Sequence, residues 1–268
     1  MMSLLESNLS AITYVPYFFA GSIFIFAAIG WYVGYFRLGR HGVSGVAVRD
    51  SIVAAIFGLS ALVLGFTFSS AANRYSIRVD SIRAQAQILA DVYGSLKYLA
   101  PSDQVELKKS LNDLLTLRLT MYKNANNRLD IDQGSGKISA ATRKISEETI
   151  IAIRNAPAGS QALANEILMT QVRSLSTIFA VGIINTKSVP PAILMRYLYG
   201  LLCVAAFLIG YTMALKNESD WPLASLYIIL VGFSLYVIIS LELPNLLMPY
   251  DEINREFLML KESFDSVP

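Results

Sequence analysis

Catalysis needs nucleophiles, bases or metal ligands within reach of one another, and this chain carries few of them. Its one histidine, His41, stands in a basic, glycine-flanked stretch, and its one cysteine, Cys203, lies inside an apolar run. A single imidazole and a single thiol exclude an internal disulfide, a multi-thiolate metal site and most triad or zinc chemistry. Glycine-rich phosphate loops, nucleophile elbows and paired-histidine motifs are missing from the sequence as well, so an enzyme is not expected. Carboxylates gather in two places, at Asp130 with Asp132 and at Asp251, Glu252 and Glu256. Calcium takes about six to eight oxygens. The first group lacks the closing glutamate of a calcium loop, with Ala141 in its place, and the second is too thin to supply that many. For the second group, acids near a helix start suit the positive end of the helix dipole, and no metal and no cofactor is expected at either place.

What remains is electrostatic. Arg74, Arg78 and Arg83 follow an apolar run at intervals of four and five. Clustered positive potential would raise the local concentration of anions, and Arg74 and Arg78 are the candidates for such an anion-attracting vestibule. The same side chains would equally serve as anchors to lipid phosphates or as partners of Asp80 and other acids. Over the whole chain, 22 basic residues stand against 20 acids, a net charge of +2. That excess is too small and too dispersed to propose nucleic acid as a partner.

These residues are set in a chain of 268 residues with 54% hydrophobic and only 16% charged side chains, a composition suited to a bilayer rather than to water. Four stretches, Pro16–Phe36, Ser51–Ala72, Tyr197–Leu215 and Trp221–Leu241, carry no charge. Each is close to the roughly 20 helical residues that cross a hydrocarbon core. No Lys or Arg precedes the first, which is read as a retained helix rather than a cleaved signal. Tyr14, Tyr17, Trp31, Tyr35, Tyr197, Tyr199 and Trp221 are placed to meet the headgroups.

Between the second and third spans, residues 73–190 hold 15 of the basic residues and 10 of the acids, a domain outside the membrane. Its apolar residues follow helical spacing. Tyr75, Ile82, Ala86, Leu89, Tyr93, Leu96 and Leu99 form one series, and Leu111, Leu115, Leu119 and Tyr122 another. Pro101 should end the first helix, with Asp103 and Glu106 forming a capping box for the next. Asp130 through Gly136 reads as a loop because its glycines and serine offer no apolar face. Helices over Ile138–Asn155 and from about Gly159 to Asn185 should follow, the latter with Leu163, Ile167, Leu168, Leu175, Ile178 and Phe179 on one face. Nothing from Ser51 to Leu99 is proline, so the second span should continue into the domain as one long helix.

On that helix the run Val63-Leu64-Gly65-Phe66-Thr67-Phe68-Ser69-Ser70-Ala71-Ala72-Asn73-Arg74-Tyr75 resembles the second transmembrane helix of the bestrophins. From Gly58 through Arg118 the chain looks like bacterial and plant bestrophin-like membrane proteins, and Glu242-Leu243-Pro244 is similar to the family's exit from its last span. The sequence departs from the pattern at Gln85-Ala86-Gln87, where the family tends to carry Glu-Ala-Asn, and at Leu114, where it tends to carry tyrosine.

The resemblance implies a pentamer around a central anion pore lined by the second helix. Its constriction, carried over in register from Phe66, falls on Gly58, Leu62 and Phe66. Read from the residues alone, the same stripe would simply pack on a neighbouring helix, Gly58 and Gly65 allowing close approach. By the positive-inside rule, Arg37, Arg40 and Arg49 place the first short loop in the cytoplasm. The resemblance puts the termini and the central domain there instead, and this second placement is the one expected.

The sequence thus predicts an all-α polytopic membrane protein with four transmembrane helices. Residues 1–72 form the first helix pair, 73–190 the helical domain, 191–243 the second pair and 244–268 a C-terminal tail. The expected setting is the bacterial inner membrane, and the expected partners are the lipid bilayer, inorganic anions such as chloride and further copies of the chain. The alternative function is a non-conducting membrane protein whose helical domain binds a partner or scaffolds an assembly.

Overall fold

The computed structural model describes residues 14–41, 50–123, 128–187, 190–216, 220–242 and 250–266. Among these every regular element is a helix: α1 (Val15–His41), α2 (Asp50–Ser95) with a short 3₁₀ turn (Leu96–Tyr98), α3 (Pro101–Lys123), α4 (Arg128–Asn155), α5 (Gln161–Lys187), α6 (Ala192–Lys216), α7 (Trp221–Glu242), α8 (Tyr250–Ile253) and α9 (Arg255–Ser266). The chain divides into two compact units. One holds α1, α2 up to Arg74, α6 and α7; the other holds α2 from Tyr75, α3, α4, α5, α8 and α9. The 46-residue α2 passes from one unit into the other without a break.

In the first unit α1 and α6 form the tightest pair. Added Cβ atoms at Gly30 and Gly210 would fall on the carbonyl oxygens of Phe207 and Ala27, so only glycine admits this approach. In a bilayer, helices cannot be driven together by burying apolar surface from water, and such small-residue contacts supply close van der Waals packing instead. Ile23, Ala27, Leu198, Leu202 and Ala206 are buried along the pair, with Ile228, Val231 and Leu235 of α7 against it. Polar groups are satisfied locally: Tyr199 donates to Ser22 Oγ at 2.8 Å, and Ser22 donates to the Phe19 carbonyl at 2.8 Å.

The second unit has its own core. Leu89, Val92 and Leu96 meet Leu107, Leu111, Leu114 and Leu115 of α3, Ile138 and Ile145 of α4, and Leu168, Val172, Leu175 and Phe179 of α5. Leu163, expected on the core face of α5, is 44% exposed, and Ala164 is buried instead. The segment expected as a tail packs here too, with Phe257 and Phe264 buried and the Phe264 ring stacked 4.0 Å from Tyr93.

Two local expectations are corrected. Asp130 to Gly136 is not a loop but the start of α4. A Cβ at Gly134 would overlap the Met121 side chain, and Ser135 is buried, donating to the Ile131 carbonyl at 2.7 Å. These small residues make room for α3 rather than breaking a helix. The Asp103/Glu106 capping box does not form either. Pro101 occupies the first position of α3, where a missing N–H costs nothing, and Gln104 Nε2 donates to the Leu99 carbonyl at 2.8 Å.

Five described helices are long and apolar enough to cross a membrane, α5 being the fifth. Length and composition therefore do not fix the count at four.

The glycines predict contrasting outcomes. Gly210→Ala should destabilise the first unit by about 1–3 kcal/mol through overpacking against α1. Gly58→Ala, where a Cβ meets nothing within 4 Å, should leave thermal unfolding in detergent unchanged or slightly raised.

Candidate functional site

As far as Arg74, α2 is the least enclosed of the helices in its unit. On one face Ser60, Thr67 and Ala71 are buried and Val63 and Leu64 pack on the α1/α6/α7 core. Phe57 meets the Tyr227 ring edge-on at 5.6 Å. The buried hydroxyls need no outside partner, because Ser60 and Thr67 donate to the Ile56 and Val63 carbonyls of their own helix, at 2.7 and 2.8 Å.

The opposite face is open. Gly58 is exposed, and Leu62 and Phe66 are 55% and 67% exposed. Nothing lies within 4 Å of a Cβ added at Gly58 or Gly65. Among the described residues no helix of the same chain covers this stripe. Ser51, Ala55, Ser69 and Asn73 lie on the same face and are also exposed.

Arg74 and Arg78 turn away from it. A helix advances about 100° per residue, so each step of four overshoots a turn by about 40°, and four steps, from Gly58 to Arg74, by about 160°. Arg74 accordingly lies on the packed side. Its Nε donates to both carboxylate oxygens of Glu242, at 2.9 and 3.1 Å. Nη2 donates to Glu242 Oε1 as well, and Nη1 donates to Ser70 Oγ at 2.7 Å. Glu242, the last residue of α7, is buried with a side chain only 7% exposed, against 22% for Arg74. A planar guanidinium fork on a carboxylate gives orientation as well as charge balance. The sequence signalled Glu242 as an acid closing an apolar run but not its partner.

Beyond the span, Arg78 Nε donates to the Asn185 carbonyl at 3.4 Å, and Arg83 pairs with Asp80 at 3.6 Å. Deeper in the same unit Arg118 is buried, donating from Nε to Gln85 Oε1 at 3.1 Å with its guanidinium 5.2 Å from the Phe257 ring centre. A Cβ at Gly182 would overlap the Gln85 amide, so α2, α3, α5 and α9 converge on that contact. Gln85 thus stands as a neutral acceptor for the buried Arg118 guanidinium.

Asp251, Glu252 and Glu256 are exposed. No group of three or more metal-ligating side chains occurs among the described residues. The side chains of His41, Arg40 and Tyr122, and the whole of Arg49, Leu243 and Pro244, lie outside those residues.

Removing one partner of the Arg74–Glu242 pair leaves a poorly solvated charge. Glu242→Leu should cost about 3 kcal/mol, somewhat reduced by the partial exposure of Arg74. Arg74→Leu in the same chain should recover much of the loss, which a double-mutant cycle on thermal unfolding in detergent measures.

No protein-family profile and no curated protein matches this sequence. Solved structures do. A mutant form of a bacterial bestrophin homolog from Klebsiella pneumoniae superposes with a TM-score of 0.66 at 12% identity, over 94% of this chain and 99% of that one. A second mutant form gives 0.64 at 13%, over 91% and 98%. A third gives 0.62 at 11%, over 94% and 99%. The chain has a bestrophin-like fold. Together with its apolar helices, that fold supports an integral membrane protein.

Proposed function

We propose that copies of this chain assemble around an axis as a channel that passively conducts inorganic anions such as chloride, its conduit lined by the open face of α2. The observation that carries this reading is the exposure of Gly58, Leu62, Gly65 and Phe66 on a span that buries only its other side. Lipid is a poor cover for that face. Glycines there give up side-chain contact with no close approach inside the chain to compensate, and Asn73 at its end carries an amide that hydrocarbon cannot hydrogen-bond. A ring of copies covers the flanks of the face and leaves its centre to water and ions.

In this reading α1, α2 as far as Ala72, α6 and α7 are the four spans, and α5 spends its apolar side on the core of the other unit. Leu62 and Phe66 form the narrow rings, with the weakly positive edges of the Phe66 rings better suited to an anion than to a cation. Gly58 leaves its level wide. Arg74 and Arg78, expected at a vestibule, act here as holders of α2: Arg74 donates to Glu242 and Ser70, and Arg78 Nε donates to the Asn185 carbonyl. Five copies, a bacterial inner membrane and a cytoplasmic position for the helical unit follow the family resemblance.

Reconstituted in planar bilayers, the purified protein should pass chloride current, and Leu62→Ala and Phe66→Ala should each change unitary conductance or selectivity several-fold while native mass spectrometry still shows a closed ring. Unchanged currents in both variants remove these residues from the conduit. A monomeric or two-fold particle without current favours the non-conducting alternative.

A further inference from the structure

The register that turns Arg74 and Arg78 away from the open face of α2 returns other charges to it. Counting about 100° per residue, Ser69, Asn73, Ser76, Asp80 and Gln87 fall within about 50° of Leu62, and Arg83 within about 60°. All of these are exposed. Asp80 and Arg83 form an ion pair one turn apart, their side chains 66% and 63% exposed, and Ser76 Oγ lies 3.5 Å from Asp80 Oδ2. On the face that carries Gly58 and Leu62, the first charges beyond the span are thus an acid and a base in succession.

We infer that Asp80 and Arg83 form two opposed rings of charge at the mouth of the conduit, each offsetting the bias that the other would impose on ion selection. The inference rests on the proposed channel, because only copies arranged about an axis turn this one surface pair into stacked rings of like charge. A ring of Asp80 carboxylates lowers the local anion concentration and a ring of Arg83 guanidinium groups raises it. Stacked one turn apart, they largely cancel at distances beyond their spacing. The mouth of the native protein is therefore close to neutral, and discrimination between anions and cations falls to Leu62 and Phe66. This differs from a vestibule lined by unopposed arginines. An exposed ion pair at this spacing contributes little to stability, so each residue can be neutralised without loss of the fold.

The test is the reversal potential of reconstituted protein in asymmetric potassium chloride. Asp80→Asn should raise the ratio of chloride to potassium permeability about threefold at low salt, and Arg83→Gln should lower it by a similar factor. The double variant should return near the native value, and both shifts should shrink as ionic strength rises. Native current with reversal potentials unmoved in both single variants overturns the assignment and leaves the channel standing, as does a shift of the same sign in both. Absence of any current from the native protein removes the channel and this assignment together.

Discussion

The forked ion pair between Arg74 and Glu242 decides which way the second span faces. That span is apolar nearly all round, so burial alone barely distinguishes one rotation from another. Its hydroxyls are no help, since Ser60 and Thr67 are satisfied within the helix itself. Orientation must come from the few contacts with direction: the edge-on Phe57 and Tyr227 rings, and a guanidinium locked onto a buried carboxylate at the end of α7. Rotating α2 far enough to bury Leu62 or Phe66 would pull Arg74 off the buried Glu242 carboxylate, a larger penalty than exchanging one apolar face for another. The outward stripe thus depends on residues that do not belong to it.

Much of the fold was legible because charge is so unevenly distributed. The four charge-free runs each fall inside a helix, and the leucine series of residues 82–99 and 111–119 lie largely in the core of the second unit. What failed were judgements that depended on distant neighbours. Gly134 reads as a breaker until Met121 is placed against it, and Phe257 and Phe264 read as part of a tail until Tyr93 and Arg118 supply partners. Hydropathy by itself does not separate four spans from five, because an apolar side like that of α5 suits lipid and the leucines of a helical core alike.

The candidate site was legible in part. Gly58, Leu62 and Phe66 drift by about 80° around the helix in two steps of four, and all three still fall on its exposed side. Extended to Arg74 and Arg78, the same spacing carries the row to the opposite side, and the charges that do share the face, Asp80 and Arg83, are in a different register. Glu242 could not be assigned from sequence because its partner is 168 positions away.

The glycine-lined contact between α1 and α6 bears on how the protein is made. Between the end of α1 and the start of α6 lie about 150 residues, and at roughly 5–20 residues per second the ribosome takes about 8–30 s to deliver them. Throughout that interval the nascent N-terminal span has no mate for the bare backbone at Gly30. It must be held by the insertion machinery or by lipid while the intervening helices emerge and fold, so this glycine-lined seam is also one of the last to be sealed.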